Sequence, residues 1–210
     1  MIREQHLTDY LDEHEKWFDP HFCIYESELE AIKIFIPREK KGISIGIGNG
    51  RFARPLDINE GVERFTDVIE HASEIGIKVY AGTSENLPLP VSSYDYALLA
   101  TPVCFIDDIF KTFWEVNKII KPKGNFILGF VNESSPLGDA YHNIKKVNRF
   151  YRLSSFHHTG EIIRCLKETH FTNLEIIQTV FGELHMINEV QPYKVGYGEG
   201  GFIVIKAEKE

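Results

Sequence analysis

From about residue 42 onward, short runs of β-branched and other apolar residues alternate with stretches of helical period. Ile43 to Ile47 predicts a first strand that runs into Gly46, Gly48 and Gly50, with room for a short helix over Arg51 to Leu56. A second strand is expected to end at Val62 and Glu63, followed by a helix from Phe65 to Glu74 and a third strand from Lys78 to Tyr80. Tyr94 to Ala100 predicts a fourth strand, Ile109 to Ile120 an amphipathic helix, and Asn125 to Val131 a fifth strand after the breaker Lys121 to Gly124. Parallel strands need crossover connections, so this alternation is the mark of βαβ units.

Ahead of the first strand, Glu26 to Ile36 carries apolar residues at helical spacing until Pro37 closes it, and it is expected to be a lid or flanking helix. Beyond Val131 the pattern changes to a helix from Thr159 to His170, a strand from Leu174 to Phe181 and a final strand from Gly201 to Ala207. The last two are expected to pair as an antiparallel hairpin. Tyr193 to Gly201, rich in glycine and tyrosine, reads as a plain hairpin loop, with a mobile flap as the other reading. The fold expected is a Rossmann-like three-layer α/β sandwich around a mostly parallel seven-stranded sheet with an antiparallel C-terminal hairpin strand.

Composition narrows the function more than the fold. The chain has 210 residues, 43% hydrophobic and 26% charged, the balance of an ordinary globular domain. A formal net charge of −8 speaks against a broad phosphate-binding face, so no nucleic-acid partner is expected. Cys23, Cys104 and Cys165 are odd in number and widely spaced, which gives neither a disulfide framework nor a metal clamp. The nine histidines form no His-x-x-x-His or similar set, so no metal is expected. No apolar run approaches the roughly 20 residues a membrane helix needs. The expectation is a cytoplasmic protein with reduced thiols and no membrane partner.

Gly46, Gly48 and Gly50 stand where a strand becomes a helix, a turn at which bare backbone can approach a ligand closely. The dinucleotide fingerprint requires a further glycine where Arg51 stands, so that pattern fails and a nicotinamide-dependent oxidoreductase is disfavoured. An adenosine site of this layout expects an acid at the end of the second strand to accept from the ribose hydroxyls. Glu63 is the natural candidate and Asp57 its rival.

The glycines, Glu63, the segment Gly82 to Pro90, Tyr94 and Asp95, and Lys121 to Gly124 follow in an order and spacing that resembles the class I S-adenosylmethionine-dependent methyltransferases. The likeness is greatest to the small type 11 group, which includes quinone-biosynthesis methyltransferases, and covers about Gly42 to Val131. It implies one domain over residues 1–210: an N-terminal helical lid (1–41), a cofactor-binding core (42–131) and a substrate-side region with the C-terminal strands (132–210). It also implies S-adenosylmethionine as cofactor, cradled by the glycines with Glu63 on the ribose. Thr83, Ser84 and Glu85 would line the adenine, and Ala100 and Thr101 the place where the methionine end meets the acceptor. Two positions depart from the family: Ser44, where an acid usually anchors the cofactor's amino group, and Thr83, where an Asp commonly meets the adenine amino group.

The acceptor is expected to be a small molecule, and a homodimer is compatible with everything above. A general base is needed only if the acceptor loses a proton, and His142, His157 and His158 lie in the region expected to cap the pocket. Packing or surface exposure is the competing reading of each. Cys104, Phe105, Tyr141 and Tyr151 are candidate acceptor-side residues on the same terms. A non-catalytic cofactor-binding or assembly module is the alternative to a methyltransferase, motivated by Ser44 and Thr83.

Overall fold

A computed structural model describes residues 20–100, 102–147, 152 and 154–210. Eight strands form one sheet: β1 (Gly42–Ile45), β2 (Glu60–Glu63), β3 (Lys78–Ala81), β4 (Tyr94–Ala100), β5 (Ile120–Val131), β6 (Phe171–Thr179), β7 (Lys194–Val195) and β8 (Phe202–Lys209). Their order across the sheet is β3-β2-β1-β4-β5-β8-β6-β7. The first five are parallel, whereas β8 runs antiparallel to both β5 and β6. The expected antiparallel pairing of the last two long strands is therefore present. The eighth strand is the two-residue β7, which pairs with Ile177 and Gln178 inside the stretch expected to be a loop.

The helices are α1 (Phe22–Lys33), α2 (Thr66–Glu74), α3 (Ile109–Ile119), α4 (Pro136–Val147) and α5 (Thr159–Glu168). One face of the sheet buries Ile24, Leu29 and Ile32 of α1 and Leu137 and Tyr141 of α4 against Leu98, Ile127 and Val204. The other buries Phe113 and Val116 of α3 and Ile162 and Leu166 of α5 against Ile43, Leu99 and Ile205. Full burial of a Leu or Ile side chain stabilises by about 1.5–3 kcal/mol, so α1 is held by its apolar stripe. It begins four residues earlier than expected and lies on the sheet, and residues 1–19 lie outside the described residues.

Three local differences from the sequence reading have physical causes. The short helix expected over Arg51 to Leu56 is a chain of turns, closed by Arg54 N–H to Gly50 C=O (2.9 Å) and Asp57 N–H to Arg54 C=O (3.1 Å). The glycine bend takes the first five of the fourteen residues between β1 and β2, and Asp57 stands at φ 55°, so only Arg51 to Leu56 remain for a helix, fewer than two turns. Strand β5 starts at Ile120 and carries Lys121 to Gly124 as an irregularity between the pairs Tyr94/Ile120 and Tyr96/Asn125, with Lys123 at φ 65°. Lys121 Nζ meets Asp95 Oδ1 at 2.9 Å there, a tertiary contact that a breaker motif does not announce. Helix α4 was not expected, although Ser135 caps it by accepting from the Gly138 N–H at 3.0 Å and Pro136 fills its first position.

The strand order reverses between β1 and β4, the topological switch point at which α/β sheets hold ligands beyond the carboxyl ends of their strands. No helix among the described residues is long and apolar enough to cross a membrane.

Candidate functional site

At that switch point the chain leaves β1 through Gly46, Gly48 and Gly50, all at positive φ (64°, 55° and 80°). Side chains other than glycine rarely adopt this region, which costs roughly 1–2 kcal/mol for an L-residue. A Cβ at Gly48 would meet no atom within 4 Å, so this residue faces open space. At Gly50 a Cβ would lie 2.8 Å from Ile77 Cδ1, and glycine there serves close packing.

Glu63 closes β2 and turns back toward the glycine bend. It is 9% exposed, and its carboxylate accepts three backbone N–H groups: Arg64 (2.8 Å) and Phe65 (3.3 Å) on Oε1, and Gly48 (3.1 Å) on Oε2. A carboxylate offers about four acceptor directions, so Oε2 is the oxygen with one to spare. The rival Asp57 lies outside the residues lining the cavity beside Glu63.

That cavity measures about 220 Å³. Ser44, Gly46, Gly48, Glu63, Thr83, Ser84, Glu85 and Ala100 line it together, so the candidate cofactor residues at the ends of four strands converge on one space. Gly50 lies behind the bend, outside the lining, and Thr101 is outside the described residues. The segment after β3 is held in place by its own bonds. Asn86 N–H donates to Thr83 C=O (3.1 Å), Thr112 Oγ1 donates to Ser84 Oγ (3.2 Å), and Asp107 N–H donates to a Glu85 oxygen (3.3 Å). No group of three or more metal-ligating side chains gathers among the described residues.

On the acceptor side, Cys104, Phe105 and Tyr141 line the cavity, and Tyr151 is outside the described residues. Burial pushes the Cys104 thiol up to about 12, so it is a wall atom and not a nucleophile at neutral pH. The three histidines separate. His142 Nε2 and His158 Nε2 lie 3.4 and 3.2 Å from the two oxygens of Glu133, with both rings substantially exposed and neither lining the cavity. His157 does line it, with a side chain only 14% exposed. Its Nδ1 lies 3.1 Å from Glu161 Oε2, and its Nε2 is buried with no hydrogen-bond partner among the described residues. A carboxylate can only accept, so in the neutral ring Nδ1 carries the proton and Nε2 presents a lone pair.

Glu28 is a buried acid of the lining that the sequence reading missed, as it missed the walls Phe52 and Phe156. It is 2% exposed, and burial raises its carboxyl to about 8. The signal was present in the register of α1: Ile24, Tyr25, Leu29 and Ile32 form the buried stripe, and Glu28 occupies a position within it.

The type 11 methyltransferase-domain family matches residues 43–128. An uncharacterised protein of Methanocaldococcus jannaschii is 38% identical over 200 residues, which span 95% of this chain and 97% of that one. A Thermotoga maritima crystal structure, described as a S-adenosylmethionine-dependent methyltransferase and possible histamine N-methyltransferase, superposes with a TM-score of 0.91. It is 40% identical, and the match covers 96% of this chain and 97% of the other. A ubiquinone/menaquinone biosynthesis C-methyltransferase of Rickettsia akari is 30% identical over 134 residues, 61% of this chain but only 52% of its own length.

Proposed function

The chain belongs to the class I S-adenosylmethionine-dependent methyltransferases of the type 11 group, and we propose that it methylates a small-molecule acceptor by in-line displacement. It is an enzyme whose cofactor is S-adenosylmethionine. The observation that carries the reading is Glu63, nearly buried, tethered to the Gly48 N–H at the lip of the cavity with an acceptor direction to spare. The residues present fit an adenosine. A carboxylate at the end of β2 suits a ribose hydroxyl, and the bare backbone at Gly48 leaves open the space that a Cβ would take.

When bound, the cofactor supplies an electrophilic methyl on a sulfonium, so holding donor and acceptor in line accounts for much of the roughly 7–11 kcal/mol that proximity can give. The glycine bend and Glu63 fix the donor end. Phe105, Tyr141 and Phe156 wall the acceptor end and exclude water. His157 takes the proton of an acceptor that must lose one, at Nε2, while Glu161 holds its Nδ1–H. The Thermotoga maritima protein's description as a possible histamine N-methyltransferase makes histamine the first acceptor to assay, beside phenols, thiols and quinone precursors.

The test is transfer of a labelled methyl from S-adenosylmethionine across that panel. Turnover of at least one small molecule is expected, and cofactor binding without turnover on any of them would favour a non-catalytic module. For an acceptor that loses a proton, His157→Ala is expected to lower kcat about 100-fold or more. His158→Ala stays within about twofold, because its ring binds Ser134 and Glu133 on the surface.

Gly48→Ala separates cradle from scaffold. It is expected to cost about 1 kcal/mol of folding stability, from the left-handed backbone alone. Its methyl enters the cavity, so S-adenosylmethionine affinity falls by more than that strain accounts for, tenfold or greater in a calorimetric titration.

A further inference from the structure

Helix α1 does not need an acid at Glu28 in order to pack. Ile24, Leu29 and Ile32 beside it are buried and apolar, and a Leu or Met would continue the stripe without desolvating a charge. Yet the Glu28 side chain is 2% exposed, lines the same cavity as Ser44 and Gly46, and meets no hydrogen-bond donor or cation among the described residues. Burial is the cause of its raised carboxyl; the cations that line the same cavity, Arg51 and Arg64, do not offset it, and Arg51 lies over the Tyr25 ring 5.2 Å from its centroid. A buried acid left without a partner is a cost that the scaffold does not recover.

The cavity supplies the context for that cost. Phe52, Tyr141 and Phe156 place aromatic rings on its walls, whose faces attract cations. At Ser44, on the end of β1, the wall carries a hydroxyl where a nearer carboxylate could have stood. Glu28, reaching in from α1, is thus an acid on this wall with no partner among the described residues.

We propose that Glu28 is a cation-recognition residue of this cavity, its carboxylate pairing with a ligand's ammonium group. The assignment rests on the methyltransferase reading above, because two ligands of such an enzyme carry that group: the amino-acid end of the cofactor and an amine acceptor. Pairing stabilises the ionised form, so a ligand ammonium drives the proton off Glu28 as it binds.

The experiment is isothermal titration calorimetry of the full chain with S-adenosylhomocysteine, which keeps the ammonium and lacks the sulfonium. Histamine and a panel of primary and secondary amines are then titrated onto the resulting complex. Wild type and Glu28→Gln are compared at pH 7 in phosphate and in Tris, whose different ionisation enthalpies report proton release. If the cofactor supplies the ammonium, Glu28→Gln weakens S-adenosylhomocysteine tenfold or more, and wild-type binding releases close to one proton. If the acceptor supplies it, S-adenosylhomocysteine affinity is unchanged, and an amine shows both the tenfold loss and the proton release. A wild type that binds S-adenosylhomocysteine with no proton release at either step, and a variant that binds every ligand as tightly, overturns the proposal. A wild type that binds no S-adenosylhomocysteine refutes the methyltransferase reading instead. Proton release is read on the wild type alone, so it stands even if the variant folds poorly.

Discussion

Between about pH 4.5 and pH 8 the ligand-free protein is expected to lose on the order of 4–5 kcal/mol of folding stability through Glu28 alone, a loss that Glu28→Gln abolishes. In the unfolded chain this carboxyl titrates near its ordinary value of 4.5, while burial in the folded state raises it to about 8. Within that window the folded protein binds the proton more tightly than the unfolded chain does. Stability is therefore fully present below the unfolded value, falls as pH rises, and reaches its floor above the folded value. At about 1.36 kcal/mol per pH unit, the interval gives the magnitude stated. Urea unfolding at pH 5.5 and pH 8.5 reads the part of it between those values, about 3 kcal/mol. Taking the difference between wild type and Glu28→Gln cancels the other titrating groups, and the variant is the more stable of the two at the higher pH. An equal pH response in both proteins would mean that Glu28 is hydrated or paired.

Loss of Glu63 is expected to damage cofactor binding and the fold at once, and two substitutions separate these effects. Glu63→Ala removes the acceptor for the N–H groups of Gly48, Arg64 and Phe65 together. Buried donors left unsatisfied cost about 1–3 kcal/mol each, tempered here by water entering from the cavity, so a stability loss of roughly 2–4 kcal/mol is expected. Glu63→Gln keeps one oxygen for these donors and should lie much closer to wild type in thermal unfolding. Both variants lose a charge-assisted hydrogen bond to the ribose, worth about 1.5–3 kcal/mol, so S-adenosylmethionine binds tenfold or more weakly in each. A Glu63→Gln protein that folds normally and binds the cofactor as tightly as wild type would remove Glu63 from the ribose site.

The elements set by local chemistry were legible in the chain. Strand β4 spans Tyr94–Ala100 as expected, because a buried parallel strand is a continuous apolar run. The glycines and Glu63 are equally local signals: one marks backbone that no other residue adopts cheaply, the other a strand end. What escaped depends on partners distant in sequence. The start of β5 is set by its pairing with Tyr94 and by the contact between Lys121 and Asp95, neither visible in a Lys-Pro-Lys-Gly motif. Helix α4 is half polar, and its cap lies in Ser135 and Pro136, a quieter signal than hydrophobic period.

The histidines show the same limit at the site. His157 and His158 are adjacent in sequence, yet the turn into α5 sends one ring to the cavity and Glu161, the other to Ser134 and Glu133 on the surface. Glu28 was harder still to read. An acid within an apolar helical stripe signals either an error of register or a function, and only the cavity against it decides which.

The most direct measurement of the central claim is a calorimetric titration of the purified wild-type chain with S-adenosylmethionine, alongside NAD as a control that shares its adenosine. Saturable binding of S-adenosylmethionine at one site per chain is expected, with no measurable heat from NAD. A protein that is folded by circular dichroism and takes up no S-adenosylmethionine would contradict the account, however closely its fold resembles that of its relatives.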